Sequence, residues 1–202
     1  PRPSEGADFI VREAMREDEN VIIIGEDIGR YGGGFGATNG LLDEFGKDRM
    51  WQTPISETSF TGAAVGAALM GLRPVVEIMF ADFTTLILDP LMNHAVTYPM
   101  LSKGRLSAPL VIRTAMGSGT GAASQHSHSV EALFANIPGL KVLAPSTPQS
   151  AKALLKEAIK DDSPVMFLEH KMLYKMTQDD MQTEDTDDII IGKSKIRKSG
   201  KD

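Results

Sequence analysis

The run Val21-Ile22-Ile23-Ile24-Gly25 decides the fold. Its first four residues are β-branched and no polar residue alternates with them. A strand of this kind excludes water from both faces, as in a parallel sheet covered by helices on each side. Outward from it the chain alternates. A helix is predicted over Phe9 to Asp18, before the strand, and a glycine-rich loop over Gly29 to Gly40, after it. A short helix follows at Leu41–Phe45, then an Ala/Gly-rich helix from Ser56 to Gly71 and a strand from Pro74 to Phe80. Asp82 to Ser102 reads as a long helix bent near Pro90. Pro109 to Thr114, Leu140 to Ala144 and Pro164 to Leu168 read as further strands, with a helix over Ser129 to Asn136. Thr147 is a good N-cap with Pro148 at the first helical position. Ala151, Leu154, Leu155, Ala158 and Ile159 then mark one buried helix face. Strands separated by helices give an α/β fold, a parallel sheet with helices on both faces. The expected domain spans 1–176. Residues 177–202 read as a linker, acidic and polar over Gln178 to Asp188, with a short docking strand at Ile189-Ile190-Ile191-Gly192. The chain stops there as if cut at a domain boundary.

Composition narrows the chemistry. The 202 residues are 42% hydrophobic and contain no cysteine, so disulfide scaffolds, thiolate metal sites and thiol nucleophiles are excluded. That suits a reducing compartment. The formal charge is −6, from 21 basic and 27 acidic residues, which disfavours nucleic acid as a partner. No signal-peptide pattern opens the chain, and the apolar region Thr61 to Met79 is broken by Arg73, Pro74 and Glu77, so no membrane span is expected.

In a parallel sheet the reactive groups belong beyond the carboxyl ends of the strands: Glu26-Asp27, Phe80 to Phe83, Gly117 to His128 and Pro145-Ser146. Gly32, Gly34 and Ala37 match G-x-G-x-x-A, as do Gly117, Gly119 and Ala122. The acidic residue that a dinucleotide fold requires after the next strand is missing, however, and loop flexibility explains both matches. His126 and His128, with Glu131 and His94, are too few and too scattered for zinc. No G-x-S-x-G elbow follows a strand. Glu57 lies in Thr53-Pro54-Ile55-Ser56-Glu57, where a helix begins. An early-turn glutamate complements the helix dipole in any protein. The stretch Thr58 to Ala68 offers it no opposing charge, though. A carboxyl group facing that surface loses water, which favours its neutral form and lets it share a proton.

Several runs together resemble one family. They are Thr53-Pro-Ile-Ser-Glu57, Gly66-Ala-Ala, Gly71-Leu-Arg-Pro74, Gly25-Glu-Asp27, Gln125-His126-Ser127, Pro138-Gly-Leu-Lys-Val142 and Leu168-Glu-His170. In this order they resemble the β subunit of the first (E1) component of thiamine-diphosphate-dependent 2-oxo acid dehydrogenase complexes. Gly117 to Ala122, Pro145 to Pro148 and Phe167 to Lys171 look most like the acetoin and bacterial pyruvate branches. The resemblance implies a thiamine-diphosphate-binding fold and its pyrimidine-binding domain. It implies that Glu57 hydrogen-bonds N1′ of the cofactor's aminopyrimidine and so activates it. Phe83 matches the aromatic that packs on the pyrimidine ring, Ile55 and Met79 its apolar surround, and Glu26 an acidic residue near the cofactor. His126 matches a histidine of the active-site channel that acts on the substrate or positions the lipoyl group. His128 stands where relatives often have Gln. Some members bind potassium through carbonyls matching Leu110, Ala158, Ile159, Asp161 and Ser163, a sound arrangement for a hard cation.

The same resemblance implies partners. The diphosphate and magnesium motif of the family belongs to the E1 α subunit and does not occur here. The chain is therefore expected to act only in an α2β2 assembly. There it would oxidatively cleave pyruvate or acetoin and pass the acyl group to a lipoyl-bearing acyltransferase (E2). Its location would be the cytoplasm, or the mitochondrial matrix in a eukaryote. Rival expectations are a branched-chain dehydrogenase, a transketolase-like synthase, a nicotinamide enzyme of Rossmann type and a non-catalytic assembly domain. Glu57 and His126 oppose the last; Gln125-His126-Ser127 and Leu168-Glu-His170 favour the dehydrogenase branch.

Overall fold

The computed structural model describes residues 3–175, 189–194, 196 and 199–200. Six parallel strands form one sheet: β1 (Val21–Gly25), β2 (Met50–Gln52), β3 (Arg73–Ile78), β4 (Val111–Met116), β5 (Lys141–Leu143) and β6 (Val165–His170). Their order is β2-β1-β3-β4-β6-β5. Helices α1 (Pro3–Glu17), α2 (Leu41–Phe45), α3 (Glu57–Leu69), α4 (Thr97–Leu101), α5 (Glu131–Ala135) and α6 (Pro148–Lys160) alternate with them.

The apolar run that opened the reading serves two cores. Ile22 and Ile24 point into one with Phe60, Val65, Ile112 and Met166. Val21 and Ile23 point into the other with Ile10, Met15, Leu155 and Phe167. Successive residues of a strand alternate faces, so both faces of this one are dry. Gly25 is fixed by its neighbour: a Cβ there would lie 2.8 Å from the Glu77 carbonyl oxygen. Thr147 caps α6 as expected, accepting from Ser150 N at 3.1 Å, while Ser150 Oγ accepts from Thr147 N at 3.0 Å.

Four expectations need correcting. A sixth strand, Met50–Gln52, pairs with β1 at the sheet edge. The helix expected over Phe9 to Asp18 starts earlier, at Pro3. The segment Asp82 to Ser102 is not one bent helix. It is a 3-10 helix (Ala81–Ile87), a wide turn of π-helix (Pro90–Ala95) and α4. The wide turn begins at Pro90, which has no N–H to donate, and closes with Val96 N donating to Leu91 O at 3.1 Å. Ile189 to Gly192 is not a strand either. It lies against Leu143, Pro145, Ser150 and Leu154, and Ile191 N donates to Glu157 Oε2 at 3.0 Å. The expected linker Gln178 to Asp188 lies outside the described residues. Among those described, no helix is long and apolar enough to cross a membrane.

Candidate active site at the head of the sheet

The chain reverses direction between β1 and β3. From β1 it runs outward to β2, then returns across β1 to lay down β3 and β4. The crevice beyond the carboxyl ends of such strands is where α/β sheets bind ligands. Glu26 leaves β1 there and Met79 leaves β3. Both line a narrow cleft of about 30 Å³ with Phe35, Arg113, Glu169 and Tyr174.

Glu57 is the first residue of α3 and is only 8% exposed. No side chain caps this helix from Ser56. Glu57 lies close enough to Glu26 for its charge to act there. Burial first, then the Glu57 carboxylate, raises Glu26 above the usual carboxylate range, while the Ser56 backbone N–H acts the other way. Glu26 Oε1 and Thr53 Oγ1 are buried with no hydrogen-bond partner. Unpartnered buried oxygens cost free energy unless a ligand or water meets them. The Glu26 oxygen thus fits a ligand that brings N–H donors, as the aminopyrimidine of thiamine diphosphate does.

Aromatic rings wall the next stretch. Phe80 packs edge-on to Phe35 (5.7 Å between centroids), to Phe83 (6.1 Å) and to the His126 ring (4.4 Å). His126 also meets Phe83 at 5.6 Å. The structure therefore brings His126 and Phe83 together, and Glu26, Met79 and Glu57 at the crevice. Ile55 is apart from them: it is 84% exposed and forms no apolar surround within this chain. His94 is elsewhere, bonded through Nδ1 to Tyr98 Oη at 2.8 Å.

Four of the five carbonyls expected for potassium accept hydrogen bonds within this chain. Ile159 O and Asp161 O both accept from Arg73 Nη1 at 3.1 Å. Leu110 O accepts from Val165 N at 2.9 Å and Ala158 O from Asp161 N at 3.3 Å. The Arg73 guanidinium thus shares two of these oxygens, each of which has two lone pairs. Among the described residues no group of three or more His, Asp and Glu could hold a metal ion.

Two arrangements escaped the sequence reading. The Arg113 guanidinium, 2% exposed, bonds Glu169 Oε2 at 2.6 Å and Glu77 Oε1 at 2.7 Å beneath the cleft. Tyr174 Oη donates to the same Glu169 oxygen at 3.2 Å. Burial pushes the Tyr174 hydroxyl well up, and the Glu169 charge adds to it. A charge in the midst of the apolar strand runs Val-Val-Glu-Ile and Val-Ile-Arg-Thr was the available signal. The second arrangement is a pair of charges, Asp82 after β3 and Lys171 after β6, that contact the loop carrying His126. Asp82 Oδ1 accepts from Ser127 N at 3.3 Å and His128 N at 3.4 Å, and pairs with His128 Nδ1. The Lys171 ammonium donates to His126 O.

Known proteins share this sequence and fold. The model of the transketolase pyrimidine-binding domain matches residues 6–177. The 2-oxoisovalerate dehydrogenase subunit beta of Bacillus subtilis (strain 168) is 40% identical over 198 residues, covering 98% of this chain and 60% of its own. The pyruvate dehydrogenase E1 component subunit beta of Rhizobium meliloti (strain 1021) is 41% identical over 212 residues, covering 100% of this chain and 45% of its own. The acetoin:2,6-dichlorophenolindophenol oxidoreductase subunit beta of B. subtilis is 41% identical over 211 residues, covering 98% and 61%. The chain thus spans about half to three-fifths of these relatives' lengths. A solved split-gene transketolase, described as an inactive beta4 tetramer, shares the fold with a TM-score of 0.66 at 18% identity, over 84% of this chain and 51% of that one. The resemblance to E1 β subunits therefore extends over nearly the whole sequence, and the chain belongs to the transketolase pyrimidine-binding domain family.

Proposed function

We propose that this chain is the pyrimidine-binding part of the β subunit of a thiamine-diphosphate-dependent 2-oxo acid dehydrogenase E1 component, of pyruvate or acetoin type. The observation that carries the reading is the sheltered pair of carboxyl groups at the switch crevice: Glu57 at the head of α3 and Glu26 with an unpartnered oxygen. Thiamine diphosphate supplies a carbon nucleophile for breaking the bond beside a carbonyl. Glu57 holds a proton at N1′ of the aminopyrimidine, and its shelter from water keeps that hydrogen bond strong. Met79 and Phe83 shape the apolar wall, and His126, seated between Phe80 and Phe83, serves transfer of the acyl group to a lipoyl carrier.

The exposed side of α3 supports an α partner. Thr58, Ser59, Gly62, Ala63 and Gly66 face outward, and a Cβ at Gly62 or Gly66 would meet nothing within 4 Å. Packing within this chain does not require those glycines, whereas close approach of another helix does. In this reading the α subunit supplies the diphosphate and magnesium half of the site and covers Ile55. No step depends on potassium; Arg73 engages two of the carbonyls expected to hold it.

The test is co-expression with an E1 α partner from the neighbouring reading frame, followed by dye-linked turnover of pyruvate, acetoin and 2-oxoisovalerate. Activity on one of them with thiamine diphosphate, abolished by Glu57→Gln, is expected. Retention of most activity in Glu57→Gln overturns the assignment. The relatives that match almost equally well include a 2-oxoisovalerate enzyme, so this substrate panel decides the branch.

A further inference from the structure

We infer that Lys171 and Asp82 form a charged clamp that positions His126 for acyl transfer. The inference rests on the proposed function and adds two positioning residues to it.

The loop from Ser124 to His128 has little regular structure, a single 3-10 turn (Ser124–His126). Its ends are tied by backbone bonds: Ser127 N donates to Ser124 O at 3.3 Å, and Gly117 N to His128 O at 2.9 Å. Two bonds of this kind do not set the direction of one ring. Two charged side chains from other elements reach this loop. The Asp82 carboxylate, at the head of β3, gathers the Ser127 and His128 amides and the His128 ring. The Lys171 ammonium, just past β6, bonds the His126 carbonyl and lies 5.1 Å from the centre of the Phe80 ring. The backbone is thus held at His126 and at the two residues after it, and the His126 ring packs against the same Phe80.

Lys171 is 2% exposed. Burying an ammonium is unfavourable unless it is partnered, and a neutral donor would bond the carbonyl without that cost. Burial lowers the Lys171 pKa, and Asp82 acts the other way. Asp82 Oδ2 is itself buried without a hydrogen-bond partner. The opposite charges thus compensate each other at the loop. A neutral residue in place of either leaves the other charge buried and unbalanced, and the loop shifts to relieve it. A small displacement of a group that must meet a second carrier costs rate at that step.

The experiment uses the assembled α/β enzyme and compares two rates: acylation of an isolated lipoyl domain and dye-linked cleavage of the 2-oxo substrate. Lys171→Met is expected to lower the ratio of the first to the second by about tenfold. Lys171→Arg, which keeps charge and donor, is expected to restore it to within about threefold. Added to His126→Ala, Lys171→Met is expected to cause no further fall, because the clamp acts through that ring. Asp82→Ala releases the loop at its other anchor, a position that needs no repacking under β6, and the same fall in the ratio is expected. An equal fall in both rates, additivity with His126→Ala, or an unchanged ratio in Asp82→Ala overturns the inference. If Lys171→Met does not assemble, the Arg variant and Asp82→Ala still decide. Failure of the underlying function reads differently: unmutated enzyme shows neither rate.

Discussion

Arg113 Nε lies 2.6 Å from Glu169 Oε2 across neighbouring strands, with both side chains buried beneath the cleft. The same guanidinium bonds Glu77, so one cation joins β3, β4 and β6 where they reach the site. Burial opposes the charged form of Arg113, but Glu169 and Glu77 together hold it well above its ordinary value.

Removing that cation leaves two buried carboxylates facing each other. Arg113→Met is expected to lower stability by about 3–5 kcal/mol, read as a shift of the urea midpoint. A loss below 1 kcal/mol, with unchanged denaturant slope, contradicts the network described.

Glu26 gives a pH prediction. Its folded-state pKa lies above the unfolded value because of burial and the Glu57 charge. Such a group contributes stability that is complete below the ordinary glutamate value of about 4.3. The contribution is lost as pH rises through the raised folded value. Glu26→Gln removes that loss. The variant is therefore expected to melt higher than the unmutated chain near neutral pH, with the gap closing on acidification. A gap that widens as pH falls reverses the sign and refutes the repulsion.

Arg73 ties the start of β3 to the loop after α6 through three acceptors: Ile159 O, Asp161 O and Asp162 Oδ1, the last at 2.5 Å. Arg73→Ala is expected to cost about 2 kcal/mol, since charged hydrogen bonds are lost and the carbonyls regain water only in part. Arg73→Lys recovers part of it. Equal stability of all three proteins by chemical denaturation shows the contacts to be idle.

His126→Ala in the assembled enzyme is expected to reduce acyl transfer to lipoamide while thiamine diphosphate affinity stays within about threefold. Titration of cofactor by intrinsic fluorescence separates the two effects. An equal loss of cofactor affinity moves His126 from the transfer step to the cofactor pocket.

The sheet was legible because its central strands are apolar on both faces; Val21–Gly25 and Val165–Leu168 need no context to be read. Strand β2 was not, since only Met50 of its three residues is buried and charged residues precede it. Segment 81–101 has helical composition throughout, and its wide turn depends on which carbonyl Val96 N reaches, a choice made by packing on α3. Glu26, Phe83 and His126 fall in loops after strands and Glu57 at a helix start, so a chain-order reading reaches them, whereas Met79 and the separate roles came only from the family resemblance. Asp82 and Lys171 also lie at strand ends, but their convergence on one loop exists only after β3, β4 and β6 are laid side by side. Ile55 shows the converse limit: its apolar character is plain, and among the described residues it is left 84% exposed.

The bare ridge of α3 ties manufacture to chemistry. The helix whose first residue is Glu57 is the same one that offers Gly62 and Gly66 to a neighbour. In the proposed assembly a side chain added along that ridge would push the two polypeptides apart and tilt the carboxyl group assigned to the proton. On that proposal assembly and turnover change together over generations.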